Sequence, residues 1–180
     1  MSRRSRFLAA ALIALPLLTL AQDAKPDAPK AKPEDVKSLD ALVAAVYDVI
    51  SGPKGQERDW DRFRSLFAPG ARLIPVNRPK DGTPRARMLD VEEFVKFAGA
   101  ATKESGFFEN EVARRVEQFG GIAHAFSTYE SRREKDGKPF DRGINSIQLL
   151  NDGTRWWVVT IYWDRERPDS PIPAEYLPKK

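Results

Sequence analysis

The chain has 180 residues, 30 of them Lys or Arg and 26 Asp or Glu, with a formal net charge of +4, one His and no Cys. That excludes disulfides, thiolate metal sites, a cysteine nucleophile and a His-rich metal centre. A hydrophobic fraction of 41 % suits one domain with a core, and fourteen Pro with eleven Gly predict many turns rather than a helical bundle.

Residues 1–21 read as a secretory signal. Ser2-Arg3-Arg4-Ser5-Arg6 is basic, Phe7 to Leu20 is apolar but for Pro16 and Thr19, and Thr19 and Ala21 supply small residues before Gln22. The apolar run is short for the roughly 20 residues of a spanning helix. Cleavage after Ala21 and export, to the periplasm or the medium, are expected, with no stable membrane span afterwards. The remaining chain carries 27 basic and 26 acidic residues, or +1. Its charges are interspersed rather than striped, so no nucleic-acid partner is expected.

Residues 22–37, with Pro26, Pro29 and Pro33 among Lys, Asp and Ala, predict a tether. The domain is expected over 38–165. Leu39, Leu42, Val43, Val46, Tyr47 and Ile50 form one helical stripe, with Ser38 as N-cap and Ser51-Gly52-Pro53 as stop. Asp59 caps a shorter helix carrying Trp60, Phe63, Leu66 and Phe67, which Ala68-Pro69-Gly70 should end. Ala71 to Val76 is a short strand and Asn77 to Arg87 a loop. Asp90 with Glu93 forms a capping box that opens a third helix through Val91, Phe94, Val95 and Ala98.

From there the period changes to that of strands. Phe107 to Phe119, Ile122 to Glu134, Phe140 to Leu150 and Arg155 to Asp164 are four runs. Gly120-Gly121, Lys135-Asp136-Gly137-Lys138 and Asn151-Asp152-Gly153 separate them, each with the chemistry of a tight antiparallel turn. Residues 166–180 form a Pro-rich tail in which Ile172, Tyr176 and Leu177 can strap onto the body. The fold class is α+β: three N-terminal helices on a curved antiparallel sheet, a four-stranded meander plus a short strand.

This order resembles the nuclear transport factor 2-like superfamily, which includes ketosteroid isomerase and SnoaL-type cyclases. The matching pieces are Asp59-Trp60-Asp61-Arg62-Phe63, Leu66-Phe67-Ala68-Pro69-Gly70-Ala71, Tyr129-Glu130, Arg142 to Leu149 and Gly153 to Trp163. The resemblance implies a cone-shaped half-barrel whose sheet bends around a cavity closed by the helices. It puts Trp157, Val159, Ile161 and Trp163 on the concave face, with Ile144, Ser146 and Gln148 beside them. Trp156, Tyr162, Asn145 and Ile147 would then face outward. It also implies a homodimer through the convex face; cover by the C-terminal strap is the rival.

Isomerase chemistry on such a fold needs a carboxylate base and a hydroxyl–carboxyl pair. Tyr47 lies near the hydroxyl position, but the base falls near Pro75 and the second acid near Ser146, so that mechanism is not expected. His124 and Tyr129 are the remaining candidates for chemistry, with Glu130 on the histidine's face. Which face of the strand carries each is open. No spacing recommends a metal, and no cofactor motif is present. The cavity candidates are Tyr47, Trp60, Phe63, His124, Tyr129, Ile144, Ser146, Gln148, Trp157, Ile161 and Trp163. The reading they favour is an exported domain binding a small amphipathic or aromatic molecule without catalysis. The alternatives are an isomerase, cyclase or hydrolase using His124 or Tyr129, and a dimeric envelope interaction module.

Overall fold

A computed structural model describes residues 29–79 and 82–179; the expected signal and the first part of the tether lie outside them. The caps act where the sequence places them. Ser38 Oγ accepts from the Ala41 amide and starts α2 (Leu39–Ile50). Asp59 accepts from Arg62 and starts α3 (Trp60–Ser65). Asp90 and Glu93 close a reciprocal capping box on α4 (Val91–Glu104). The apolar face of α2 buries Leu42, Val43, Val46 and Val49 against the sheet.

The stretch expected as tether holds a helical turn, α1 (Pro33–Val36). Val36 is 6 % exposed and Asp35 receives a two-pronged bond from Arg62, at 2.7 and 2.9 Å. That pairing holds the Asp35 carboxyl below its ordinary range. The folded body therefore starts before Ser38. A chain beginning at Ser38 should melt several degrees lower than one beginning at Pro29, by about 1–3 kcal/mol for a buried Val and an ion pair. Equal melting temperatures would return residues 29–37 to the tether.

The sheet has six strands in the order β2-β1-β6-β5-β4-β3, where β1 is Phe67–Asn77, β2 Arg85–Ala86, β3 Phe108–Phe119, β4 Ile122–Arg132, β5 Pro139–Asn151 and β6 Trp156–Arg165. Strands β3 to β6 form the expected antiparallel meander. Two details differ from expectation. Ala68-Pro69-Gly70 does not end a helix in a loop; it lies inside β1, where the register slips between Phe67 and Arg72 and Gly70 takes φ +81°. β1 also runs parallel to β6, and the expected 77–87 loop contributes the two-residue β2. The connection permits parallel pairing, because the chain between β1 and β6 is long enough for a crossover.

The tail crosses the convex face. Tyr176 lies edge-on to Phe126 at 4.9 Å, its carbonyl accepts from Thr128 Oγ1 at 2.6 Å, and Ile172 is buried. Thr128 is fully buried under this strap.

Candidate functional site

The helices and the concave face enclose a cavity of about 490 Å³. Its wall is aromatic and aliphatic: Trp60 and Phe63 from α3, Phe94 from α4, Ile147 from β5, Ile161 and Trp163 from β6. Phe63 and Phe94 stack at 5.3 Å and Trp163 meets Phe94 edge-on at 6.3 Å. One pole is polar, formed by Tyr47, Glu109, Tyr129, Ser131, Asp141 and Asn145. Arg87, Arg133 and Arg165 stand at the exposed rim.

Of the expected site residues, the structure brings together Tyr47, Trp60, Phe63, Tyr129, Ile161 and Trp163. The other five lie elsewhere. Gln148 pairs with Thr160 on the convex side, Ser146 with Tyr162 and Ile144 with Asp164. Ile144 and Ser146 line a shallower depression beside the strap, with Phe126, Tyr162 and Ile172. His124 is convex too, with Nε2 2.9 Å from Ser146 Oγ. Trp157 stands at the sheet's open end, its Nε1 donating to Asp152 Oδ2 at 2.6 Å and the Arg155 guanidinium 3.6 Å over its ring.

The cause is one extra residue. Between the pairs Gln148↔Thr160 and Leu149↔Val158, β6 contains Val159 with no opposite number. This bulge reverses the alternation. Trp156 and Val158 face the core before it, Ile161 and Trp163 after it, while Val159 is exposed and Tyr162 points outward. On β5, Asn145 and Ile147 oppose Trp163 and Ile161, so they face the cavity rather than solvent.

Two tyrosines at the pole differ in what they have left to offer. Ser127 Oγ donates to a Glu111 carboxylate oxygen and so accepts from Tyr47 Oη, 2.7 Å away. Tyr47 Oη in turn accepts from Asn145 Nδ2 at 3.0 Å. The Tyr47 hydroxyl is therefore spent on a chain from β5 through α2 to β4 and β3. Tyr129 is 4 % exposed, and its hydroxyl has no hydrogen-bond partner among the described residues. Its ring lies over Gly143, where an added Cβ would fall 2.5 Å from Oη. Burial raises both phenols above their ordinary value, with Glu109 adding to the effect.

Glu109, in the run Phe107 to Phe119, was not among the residues expected at the cavity. Pairing with Ser131 turns it inward, and Ser131 Oγ donates to its carboxylate at 2.6 Å. Asn145 also hydrogen-bonds to it, and both donors favour the anion. Burial outweighs them and pushes the carboxyl up to about 7, with the nearby Asp141 carboxylate adding to the rise. The alternation Glu109-Asn110-Glu111 at a strand start was the available signal: two acids on one face opposite Ser131 and Tyr129.

This predicts a pH dependence of stability. The folded state favours the neutral carboxyl, so Glu109's contribution is complete below its ordinary value of 4.5 and is lost as pH rises through about 7. Melting temperature should fall over that interval, and Glu109→Gln should flatten the fall. An unchanged slope in the variant would mean that Glu109 is not the titrating group.

Among the described residues no group of three or more His, Cys, Asp or Glu side chains could hold a metal, and no helix is long and apolar enough to cross a membrane.

No protein-family model matches the chain, and no curated protein sequence matches it. Solved structures do. A Nostoc punctiforme protein of unknown function with a cystatin-like fold aligns at 13 % identity over 73 % of this chain and 90 % of its own, with a TM-score of 0.54. An uncharacterised Caulobacter vibrioides protein with a cystatin-like fold aligns at 17 % identity over 74 % of this chain and 90 % of its own, TM-score 0.52. A Mycobacterium tuberculosis protein of unknown function aligns at 16 % identity over 76 % of this chain and 75 % of its own, TM-score 0.54. At these identities the likeness speaks for the fold alone: the chain has a cystatin-like fold.

Proposed function

We propose that the protein binds a small amphipathic molecule inside the cone. One observation carries this: an aromatic-walled cavity of about 490 Å³ ends at the hydroxyl of Tyr129, which no described residue engages. A polar group at the end of an apolar cavity is a fixed point for the polar end of a ligand. The apolar body of the ligand lies along Trp60, Phe63, Phe94 and Trp163, and its polar end meets Tyr129. Native mass spectrometry after incubation with neutral, cationic and anionic indole derivatives tests the reading. A 1:1 adduct is expected for the wild type and its loss for Ala98→Trp, which fills the cavity from α4. No adduct with any derivative overturns it.

A second reading is catalytic and keeps Tyr129 from the sequence-based alternative but replaces His124, which faces the other side of the sheet. What favours it is a carboxyl held near neutrality beside a free phenol, the pairing that proton transfer needs. Solvent deuterium entering the α-position of a bound aromatic ketone, with an inflection near pH 7 lost in Glu109→Gln, is its signature.

Export after cleavage at Ala21 and a homodimer through the convex face belong to the same proposal. Protein sequencing of the mature N-terminus tests the first. Sedimentation tests the second, against a strap that already occupies part of that face.

A further inference from the structure

We infer that the cavity's ligand is a compact amine, whose ammonium group sits among Glu109, Asp141 and the Tyr129 hydroxyl while its apolar body lies on the aromatic wall. This rests on the cavity being a ligand site and adds the charge of the ligand.

The first ground is the company that the carboxylates keep. Other shielded acids of the described chain have a basic partner: Asp35 has Arg62, Glu111 has Arg114, Glu130 has Arg132 and Glu166 has Arg142. Glu109 forms no ion pair there. Its hydrogen bonds come from Ser131 and Asn145, which are neutral, and the charge that acts on it is a second carboxylate, Asp141. A buried charge is ordinarily paired, and an unpaired carboxylate in a ligand cavity is a vacancy for a cation.

The second ground is Tyr129. Gly143 leaves room for its ring, and its oxygen lines the cavity with no hydrogen bond among the described residues. A phenol oxygen accepts from an ammonium while its hydrogen turns to a carboxylate.

The third ground is the wall. Trp60 and Trp163 line the cavity, and an indole ring is the side chain that best attracts a cation.

Every side of Glu109 is consistent with this. From α2 comes Tyr47, from β4 Tyr129 and Ser131, from the turn after β4 Arg133, from β5 Asp141 and from β6 Arg165, while α4 contributes apolar groups and Thr102; β3 itself carries Glu111 two residues on, opposite Tyr129. The two arginines are exposed and engaged. Arg133 lies 3.9 Å over Phe140 and donates to Ser105, and Arg165 stands 3.7 Å from Asp141. A carboxylate ligand would meet two acids at the pole; a neutral alcohol would leave Glu109 without a cation.

Isothermal titration of the purified protein with tryptamine, tryptophol and indole-3-acetate separates the outcomes. These share one ring system and differ in charge. At pH 7.5 tryptamine should bind about tenfold or more tighter than tryptophol, a gap of about 1.4 kcal/mol. Its affinity should rise as pH rises through about 7, and titration in buffers of different ionisation enthalpy should show a proton released. Glu109→Gln should bring tryptamine to the level of tryptophol, and Asp141→Asn should move it the same way without removing the released proton. Circular dichroism shows that each variant is folded. If tryptophol or indole-3-acetate binds as well as tryptamine, the amine inference is overturned while the cavity remains a ligand site. If none of the three binds, the ligand-site reading falls and this inference with it.

Discussion

Phe63→Ala should lower stability by about 3–5 kcal/mol, the range for emptying a fully buried aromatic position. Phe63 is 1 % exposed and holds three elements together. Its ring meets Trp60 edge-on at 5.8 Å within α3, Phe67 at 4.6 Å at the start of β1, and Phe94 in a stack at 5.3 Å on α4. No neighbour can close the gap without one of those elements moving. The site borders the cavity, so the void merges with existing space and gains no new contacts. His124→Ala supplies the contrast. His124 is half-buried on the other face with one side-chain bond to Ser146, and its loss should cost about 1 kcal/mol or less. Chemical denaturation of both variants at unchanged m-value measures the difference. Equal costs would mean that α3 and α4 do not pack on β1 as described.

How far the sequence could be read depends on how local each feature is. Caps and turns are decided within a few residues, so Ser38, Asp59, the Asp90–Glu93 box and the three meander turns were legible. Gly120 and Gly153 adopt the positive φ that such turns require. The bulge at Val159 has no comparable mark. Trp156 to Trp163 is apolar on both faces, so strict alternation and alternation broken once look alike in the sequence. Only pairing with β5 distinguishes them, and that one residue moved Ile144, Ser146, Gln148 and Trp157 off the cavity wall and moved Asn145 and Ile147 onto it.

The polar pole was harder still. A glutamate in a strand reads as a solvent-facing residue, and for Glu117 that reading stands, since it is exposed. Glu109 and Glu117 lie in one strand, and what separates them is the bulge in β3 between Glu111 and Ala113 and the helix α2 packed over one end. Neither is a property of β3 alone. The same holds for Tyr47 and Tyr129. Both were expected at the cavity, and only the partners of each hydroxyl tell that one is spent and the other is open.

Gly143→Ala should disturb the fold and the site together. An alanine Cβ there would lie 2.4 Å from the Asp164 carbonyl oxygen and 2.5 Å from Tyr129 Oη. The carbonyl belongs to β6, the central neighbour of β5, so backbone must move as well as a side chain. Strain of this kind costs about 1–3 kcal/mol and sometimes more. The tyrosine ring has to leave its seat, which removes the free hydroxyl from the pole, so binding in the cavity should weaken more than stability alone accounts for. Tyr129→Ala separates the two contributions. In that background Gly143→Ala should cost less, because only the clash with Asp164 remains, and the coupling between the positions should exceed about 0.5 kcal/mol. Additive costs would show that the ring does not lie on Gly143, and the opening that makes Tyr129 available to a ligand would have to be sought elsewhere.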